Sequence, residues 1–404
     1  MKLLSSRLIL LLTLSLFSVG IASPLAAQET ERETPEILEE PLEIRESDPL
    51  FPLENPERPL TPSEAEALEA IVDELNAQAT AELNAENPNT AFQIWYRELR
   101  LRRSLGLRSE IEALGRVGQI AWNQSRTPDV KIINERLNEI DREITEKNLD
   151  ENQELLSSLA QAYQQIRAVD KAATIYEKIL ENARENNDER TAEQALIALG
   201  ELYLAWFRYP EAAAVYTELL ELVRNQYDDF NVMQYLKELA YIYDQLEQPE
   251  DAINIKQQLL ASYLKKQDTA KILATQISLA QDYAILDQPN EAITLYEQSF
   301  TLAWAERQMG YASEALKNQA QLYENYEQLN DALTVYAEQV KVQEIASDFY
   351  GLMNTYDRMG KIHLQQQNYD QALTFFEAGL DIAESLGYRE AYFNAQIRRA
   401  TNNL

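Results

Sequence analysis

Residues 196–220 read Leu-Ile-Ala-Leu-Gly-Glu-Leu-Tyr-Leu-Ala-Trp-Phe-Arg-Tyr-Pro-Glu-Ala-Ala-Ala-Val-Tyr-Thr-Glu-Leu-Leu, and this stretch decides the fold. Leu196, Leu199, Leu202 and Tyr203 recur at three- and four-residue steps, as do Ala212, Tyr216, Leu219 and Leu220. Each set lies on one face of a helix. The segment between them, Phe207-Arg208-Tyr209-Pro210-Glu211, breaks the first helix and starts the second. The unit is therefore a helical hairpin, with a first (A) and a second (B) helix. Alone it leaves an apolar face uncovered, so such units must stack.

Moving outward, the hairpin repeats every 40 residues. Ala172, Ala212, Ala252, Ala292, Ala332 and Ala372 form one column. Chance would align six alanines about once in a million, at roughly one in ten per position. Twelve residues earlier stand Ala160, Gly200, Ala240, Ala280, Ala320 and Gly360; nine earlier stand Tyr163, Tyr203, Tyr243, Tyr283, Tyr323 and His363. Four residues after each alanine come Tyr176, Tyr216, Lys256, Tyr296, Tyr336 and Phe376. Small residues let two helices approach, and the rings are expected to fill the space toward the next unit. Lys256 and His363 depart from their columns. His363 reads as a packed substitute for tyrosine, and Lys256→Tyr is expected to be neutral or stabilising if its column is interior.

Composition narrows the function. The 404 residues include 10 Gly, 13 Pro, 0 Cys and 1 His, so disulfides, thiolate nucleophiles, cysteine-ligated zinc and histidine-based triads lack their raw material. Phosphate loops need glycines in a pattern absent here, and no twelve-residue calcium loop occurs. With 67 acidic against 36 basic residues the formal charge is −31, which disfavours nucleic acid and anionic lipid as partners. No cofactor, no metal and no enzymatic activity are expected.

The chain divides into five parts. Lys2 and Arg7 precede an apolar run from Leu8 to Ile21 and small residues at Ala22, Ser23, Ala26 and Ala27, the pattern of a signal peptide over 1–27. The run is shorter than the roughly 20 residues of a spanning helix, so export to the periplasm or another extracytoplasmic space is expected, without stable membrane insertion after cleavage. Residues 28–60 are acidic and Pro-rich and read as a disordered linker. Thr61 and Pro62 supply a cap and a first helical position. Residues 61–152 hold divergent helical repeats, marked by Ala91 and Trp95 after Pro88 and by Val130, Ile133, Leu137 and Ile140 after Pro128. Six units follow over 153–392, then a capping helix over 393–404.

Leu199-Gly200-x-x-Tyr203 followed by Pro210-Glu211-Ala212-x-x-x-Tyr216 resembles the tetratricopeptide repeat family, in a 40-residue variant. The resemblance covers 153–392 and implies an all-α, right-handed α-solenoid. It also implies a concave wall made by A-helix positions 2, 5, 9, 12 and 13. On that wall the candidate peptide-binding residues are Gln161, Gln164, Gln194, Glu201, Lys237, Tyr241, Ile277, Gln281, Lys317, Gln321, Asn325 and Lys361. Amides suit an extended backbone, and Ile197, Leu204, Ile277 and Ile285 would seat apolar side chains. Lys317 and Arg358 lack the companions of the clamp with which some relatives hold a C-terminal carboxylate, so that specificity is not expected. The implied function is a non-enzymatic scaffold for a protein or peptide partner. The alternatives are a self-assembling spacer and an accessory subunit of a cell-envelope enzyme.

Arg97, Arg100 and Arg103 step by three along one side of a helix and run against the overall charge. One reading pairs them with nearby Glu98 and Glu110. The other makes them a strip for an acidic partner or for the chain's own 28–60 segment.

Overall fold

The computed structural model describes residues 41–43, 48–50, 59–147, 152–225 and 228–403. The 1–27 signal lies outside the described residues, as does most of the 28–60 segment. Among the described residues, seventeen α-helices follow one another as antiparallel neighbours. They are α1 (Pro62–Asn84), α2 (Pro88–Arg102), α3 (Leu107–Asn123), α4 (Thr127–Glu146), α5 (Gln153–Gln165), α6 (Val169–Glu185), α7 (Glu189–Ala205), α8 (Tyr209–Asn225) and α9 (Asp229–Gln245). Then come α10 (Pro249–Lys266), α11 (Thr269–Ile285), α12 (Pro289–Ala305), α13 (Met309–Asn325), α14 (Leu329–Ala346), α15 (Phe349–Gln365), α16 (Tyr369–Leu386) and α17 (Glu390–Thr401). The described residues contain no strand, and none of their helices is long and apolar enough to cross a membrane. The chain is an α-solenoid of stacked hairpins.

Local chemistry sets the helix ends. Thr61 and Glu64 form a reciprocal capping box at the start of α1. Asp188, Asp228, Asp268 and Asp348 stand 40 residues apart or a multiple of it, and each accepts a backbone N–H at the start of an A helix. These caps satisfy donors that the helix cannot. The turns between helices use a left-handed residue every 20 positions, including Arg167, Asn187, Phe207, Glu247, Asp287 and Glu327. Most are not glycine, and such a residue costs about 1 kcal/mol or more. Closing bonds such as Arg208 N to Tyr203 O and Asp188 N to Ala183 O, both 2.8 Å, offset that cost.

The alanine column is 0 to 1 % exposed throughout. The B-helix rings Tyr176, Tyr216, Tyr296, Tyr336 and Phe376 are also buried, at 0 to 6 % exposure. Gly200 and Gly360 face two of them: a methyl group added there would lie 3.0 Å from Tyr216 and 2.7 Å from Phe376. In the A-helix column, Tyr163 and Tyr203 are buried, whereas Tyr243, Tyr283 and Tyr323 are half-buried. Two of their hydroxyls bond the B helix of the preceding hairpin: Tyr203 donates to Glu177 at 3.0 Å, and Tyr283 accepts from Gln257 at 2.9 Å. The rings thus wedge between hairpins with their polar edge outward.

Lys256 does not behave as a substitute ring. It is 4 % exposed, with its ammonium 2.6 Å from Asp244 and 2.7 Å from Asp282. One continuous apolar core runs from Leu42 to Ile272, and smaller clusters follow where polar groups enter the interior.

Two expected boundaries shift. The terminal helix α17 begins at Glu390, not 393, because Phe393 is its anchor: fully buried, it packs where Gly379 of α16 has no side chain. The 28–60 linker is not a free spacer where it is described. Leu42 is 7 % exposed within the main core, Asp48 is bonded to Arg97, and Arg100 donates to the Pro41 carbonyl. Apolar burial and two guanidinium contacts tie this stretch to α2.

Candidate functional site

Between α13, α14 and α15 lies a cavity of about 890 Å³, bordered at one end by Arg389. Its floor is polar. Gln339 and Gln343 of α14, each 3 % exposed, stand where the first three units carry Ile179, Leu219 and Leu259, and Ala183, Val223 and Tyr263, and the fourth carries buried Ser299 and Ala303. Gln339 Nε2 donates to Ser313 at 3.3 Å, and Gln343 Oε1 accepts from the Thr355 hydroxyl at 2.9 Å. Gln339 Oε1 is buried without a partner among the described residues. An unmatched buried acceptor is costly, so packing alone does not account for it.

The rim carries both signs of charge. Asp357, 5 % exposed, accepts from Lys361 at 3.0 Å, Arg389 at 3.2 Å and the Tyr392 hydroxyl at 2.8 Å. Burial works against the Lys361 ammonium, but hydrogen bonding to Tyr392 and Asp357 outweighs it and holds the pKa above the usual lysine value. Arg389 also donates to Asn354 at 2.9 Å, and its guanidinium lies 4.2 Å from the Tyr392 ring centre. Lys317 is exposed on the opposite wall, with Glu314 one turn before it and Gln321 one turn after. Such a groove offers ammonium and amide donors on its walls and carboxamide acceptors below, which suits a polar, extended chain.

The residues expected on the concave wall separate. Lys317, Gln321 and Lys361 line this groove. Gln161 and Gln194 line a second recess of about 410 Å³ with Glu154 and Ser157. Glu201, Lys237, Tyr241, Gln281 and Asn325 are exposed but line neither. Gln164 is half-buried and accepts from the Tyr176 hydroxyl at 3.3 Å inside its own hairpin. Ile277 is a correction: it is 3 % exposed and packs in a core cluster with Ala315 and Leu322, because α13 closes over it. The arginine strip divides too. Arg103 pairs with buried Glu110 at 2.9 Å and faces inward, whereas Arg97 contacts Asp48 and Arg100 the Pro41 carbonyl.

Gln339, Gln343, Ser313, Thr355 and Arg389 were outside the sequence-based expectation, which followed only positions 2, 5, 9, 12 and 13 of the A helices. The signal was present as polar residues at 339 and 343 in two B-helix columns that are apolar in the first three units.

The tetratricopeptide repeat family matches the chain over residues 155–191 and 354–386. No curated protein matches it. Among solved structures it is similar to BtubC (BKLC) of P. vanneervenii, at 14% identity over 55% of this chain and 92% of that one, TM-score 0.38. It is also similar to aspartyl phosphate phosphatase F of Bacillus subtilis, at 15% identity over 72% and 78%, TM-score 0.41. A third is a signal-transduction ATPase with a tetratricopeptide repeat sensor from Pyrococcus horikoshii, at 15% identity over 84% and 50%, TM-score 0.43.

Proposed function

We propose that this chain, carrying tetratricopeptide repeats, is an exported, non-enzymatic scaffold that binds a polypeptide in the groove between α13 and α15. The observation that carries this reading is the pair of buried amides at Gln339 and Gln343. A solenoid built for stacking alone would carry apolar residues at both positions, as the first three units do, since apolar burial stabilises by about 25 cal/mol per Å² and a buried amide must first be matched. An extended segment would donate backbone N–H groups toward the floor and meet Lys317 and Lys361 along the walls. Export rests on the charged, apolar and small-residue order of 1–27.

The test is selection of displayed random dodecapeptides on the full chain, followed by binding to a Lys317→Glu/Lys361→Glu variant. Enriched peptides that lose at least tenfold in affinity on the variant support the groove. No enrichment, or enrichment indifferent to both substitutions, overturns it. Concentration-dependent mass without any peptide would instead favour the self-assembling spacer.

A further inference from the structure

The junction of the second and third units lacks a cation that the equivalent junction of the fifth and sixth contains. Between α13 and α15, Arg358 approaches Glu324 at 3.7 Å, and Glu324 also accepts the Tyr336 hydroxyl. Three 40-residue periods earlier stand Glu238, Leu204 and Tyr216. A carboxylate thus replaces the guanidinium, and Leu204 gives Tyr216 no acceptor. Tyr216 is 6 % exposed, yet its hydroxyl has no hydrogen-bond partner among the described residues. Gly200 admits it: a methyl group there would lie 3.4 Å from the hydroxyl oxygen, which sits beside Glu201 of α7. Burial raises the Tyr216 pKa, and the charges of Glu238 and Glu201, which face the hydroxyl from α9 and α7, raise it further. Neither carboxylate pairs with a cation among the described residues: Arg208 is engaged by Asp170 and Glu211, and exposed Lys237 bonds to neither. Tyr235 packs its ring 5.9 Å from that of Tyr216. Tyr241, one turn after Glu238, is 48 % exposed, with its ring edge-on to Tyr209 at 6.1 Å.

We infer that the junction of α7 and α9 is a seat for an arginine side chain of a basic, extended polypeptide. Glu201 and Glu238 accept from the guanidinium, the Tyr216 oxygen takes a further N–H, and the exposed Tyr241 ring covers the group from the side. A planar guanidinium carries five N–H donors, enough for two carboxylates and a phenol oxygen at once, and it stacks on an aromatic face. An ammonium has three donors and no plane, so lysine fits this set less well. At the later junction Arg358 supplies in cis the charge that a ligand brings here. The net charge of −31 draws a basic chain in from a distance, whereas these contacts choose its side chain. The seat lies three units before the groove between α13 and α15, and it stands whether or not that groove binds.

The experiment uses the full chain and a fluorescent dodecapeptide of four Arg-Gly-Ser repeats, with lysine and citrulline counterparts. Glu201→Gln/Glu238→Gln should weaken binding of the arginine peptide about tenfold. Glu181→Gln/Glu221→Gln removes the same charge from exposed positions on α6 and α8 and should leave binding nearly unchanged. Equal losses in the two pairs would mean that net charge alone binds the peptide and would overturn the inference. Equal binding of the lysine or the citrulline peptide overturns it too. Glu238→Arg fills the seat from within, so it should abolish peptide binding and raise the melting temperature by pairing with Glu201. Glu238→Gln should leave the melting temperature the same or higher, and a fall would assign Glu238 to packing and overturn the inference. Lys317→Glu/Lys361→Glu, which tests the other groove, should keep the arginine peptide bound; loss of binding there would place the peptide between α13 and α15 and refute this seat.

Discussion

The Lys256 ammonium and the Asp282 carboxylate meet at 2.7 Å, and the two residues stand where four other units place a buried aromatic and a buried aliphatic side chain in one core cluster. The corresponding pairs, 26 residues apart, are Tyr176 and Leu202, Tyr216 and Ile242, Tyr296 and Leu322, and Tyr336 and Ile362. All eight are buried. One such aromatic and aliphatic pair has become an ion pair, with Asp244 as a second and more exposed acceptor. Burial pushes the Asp282 carboxyl above its ordinary pKa, although the Lys256 hydrogen bond and charge oppose it.

Lys256→Tyr alone therefore destabilises, contrary to the expectation from its column, because it leaves Asp282 buried without its cation. The cost is about 3 kcal/mol. Adding Asp282→Leu restores the apolar pair and should return stability to the wild-type value or above. Urea unfolding of the two single variants and the double variant measures the coupling. A neutral single substitution would show that Asp282 finds another partner.

Gly379 admits Phe393, since a methyl group at 379 would sit 2.3 Å from a ring carbon. Gly379→Ala improves helix propensity by up to about 1 kcal/mol, yet the ring is fully buried and has little room to move. We expect a net loss of about 1 to 3 kcal/mol, with hydrogen exchange rising first in α17. A rise in melting temperature would mean that α17 repacks freely.

His363 stacks flat on Phe375 with ring centres 5.3 Å apart, and burial lowers its pKa below the usual 6.5. A base whose folded pKa is depressed contributes stability above its unfolded pKa, and that contribution is lost as pH falls through about 6.5 to the folded value. As the chain has a single histidine, its carbon-bound ring protons give an unambiguous NMR titration. A midpoint at or above 6.5 would contradict this packing. His363→Tyr should flatten the stability profile between pH 6.5 and the titration midpoint.

Gln339→Leu with Gln343→Ala gives the fifth unit an apolar pair like that of the first three. It removes the unpartnered Oε1, while Thr355 keeps its bond to the Gly351 carbonyl at 3.1 Å. Stability should rise by about 1 kcal/mol, and peptides selected on the wild-type groove should bind at least tenfold more weakly. A fall in stability would assign both amides to packing.

Much of this molecule is readable along the chain. Helix faces, caps and turns depend on residues three to five positions apart, so the Ala172-to-Ala372 column, the aspartate caps and the proline starts determine the hairpin and its 40-residue repetition. The polar residues at 339 and 343, where the first three units are apolar, are equally visible once B helices are compared. What the sequence did not decide is which polar or apolar side chain is left at the surface. Ile277 and Ile285 belong to the same helix, yet one is 3 % and the other 72 % exposed, because α13 covers only the first. Only the tertiary structure brings Asp282 to Lys256, Phe393 to Gly379 and Asp48 to Arg97. Each contact joins residues 14 to 49 apart, and its existence depends on how closely separate elements approach, a distance that no local periodicity encodes.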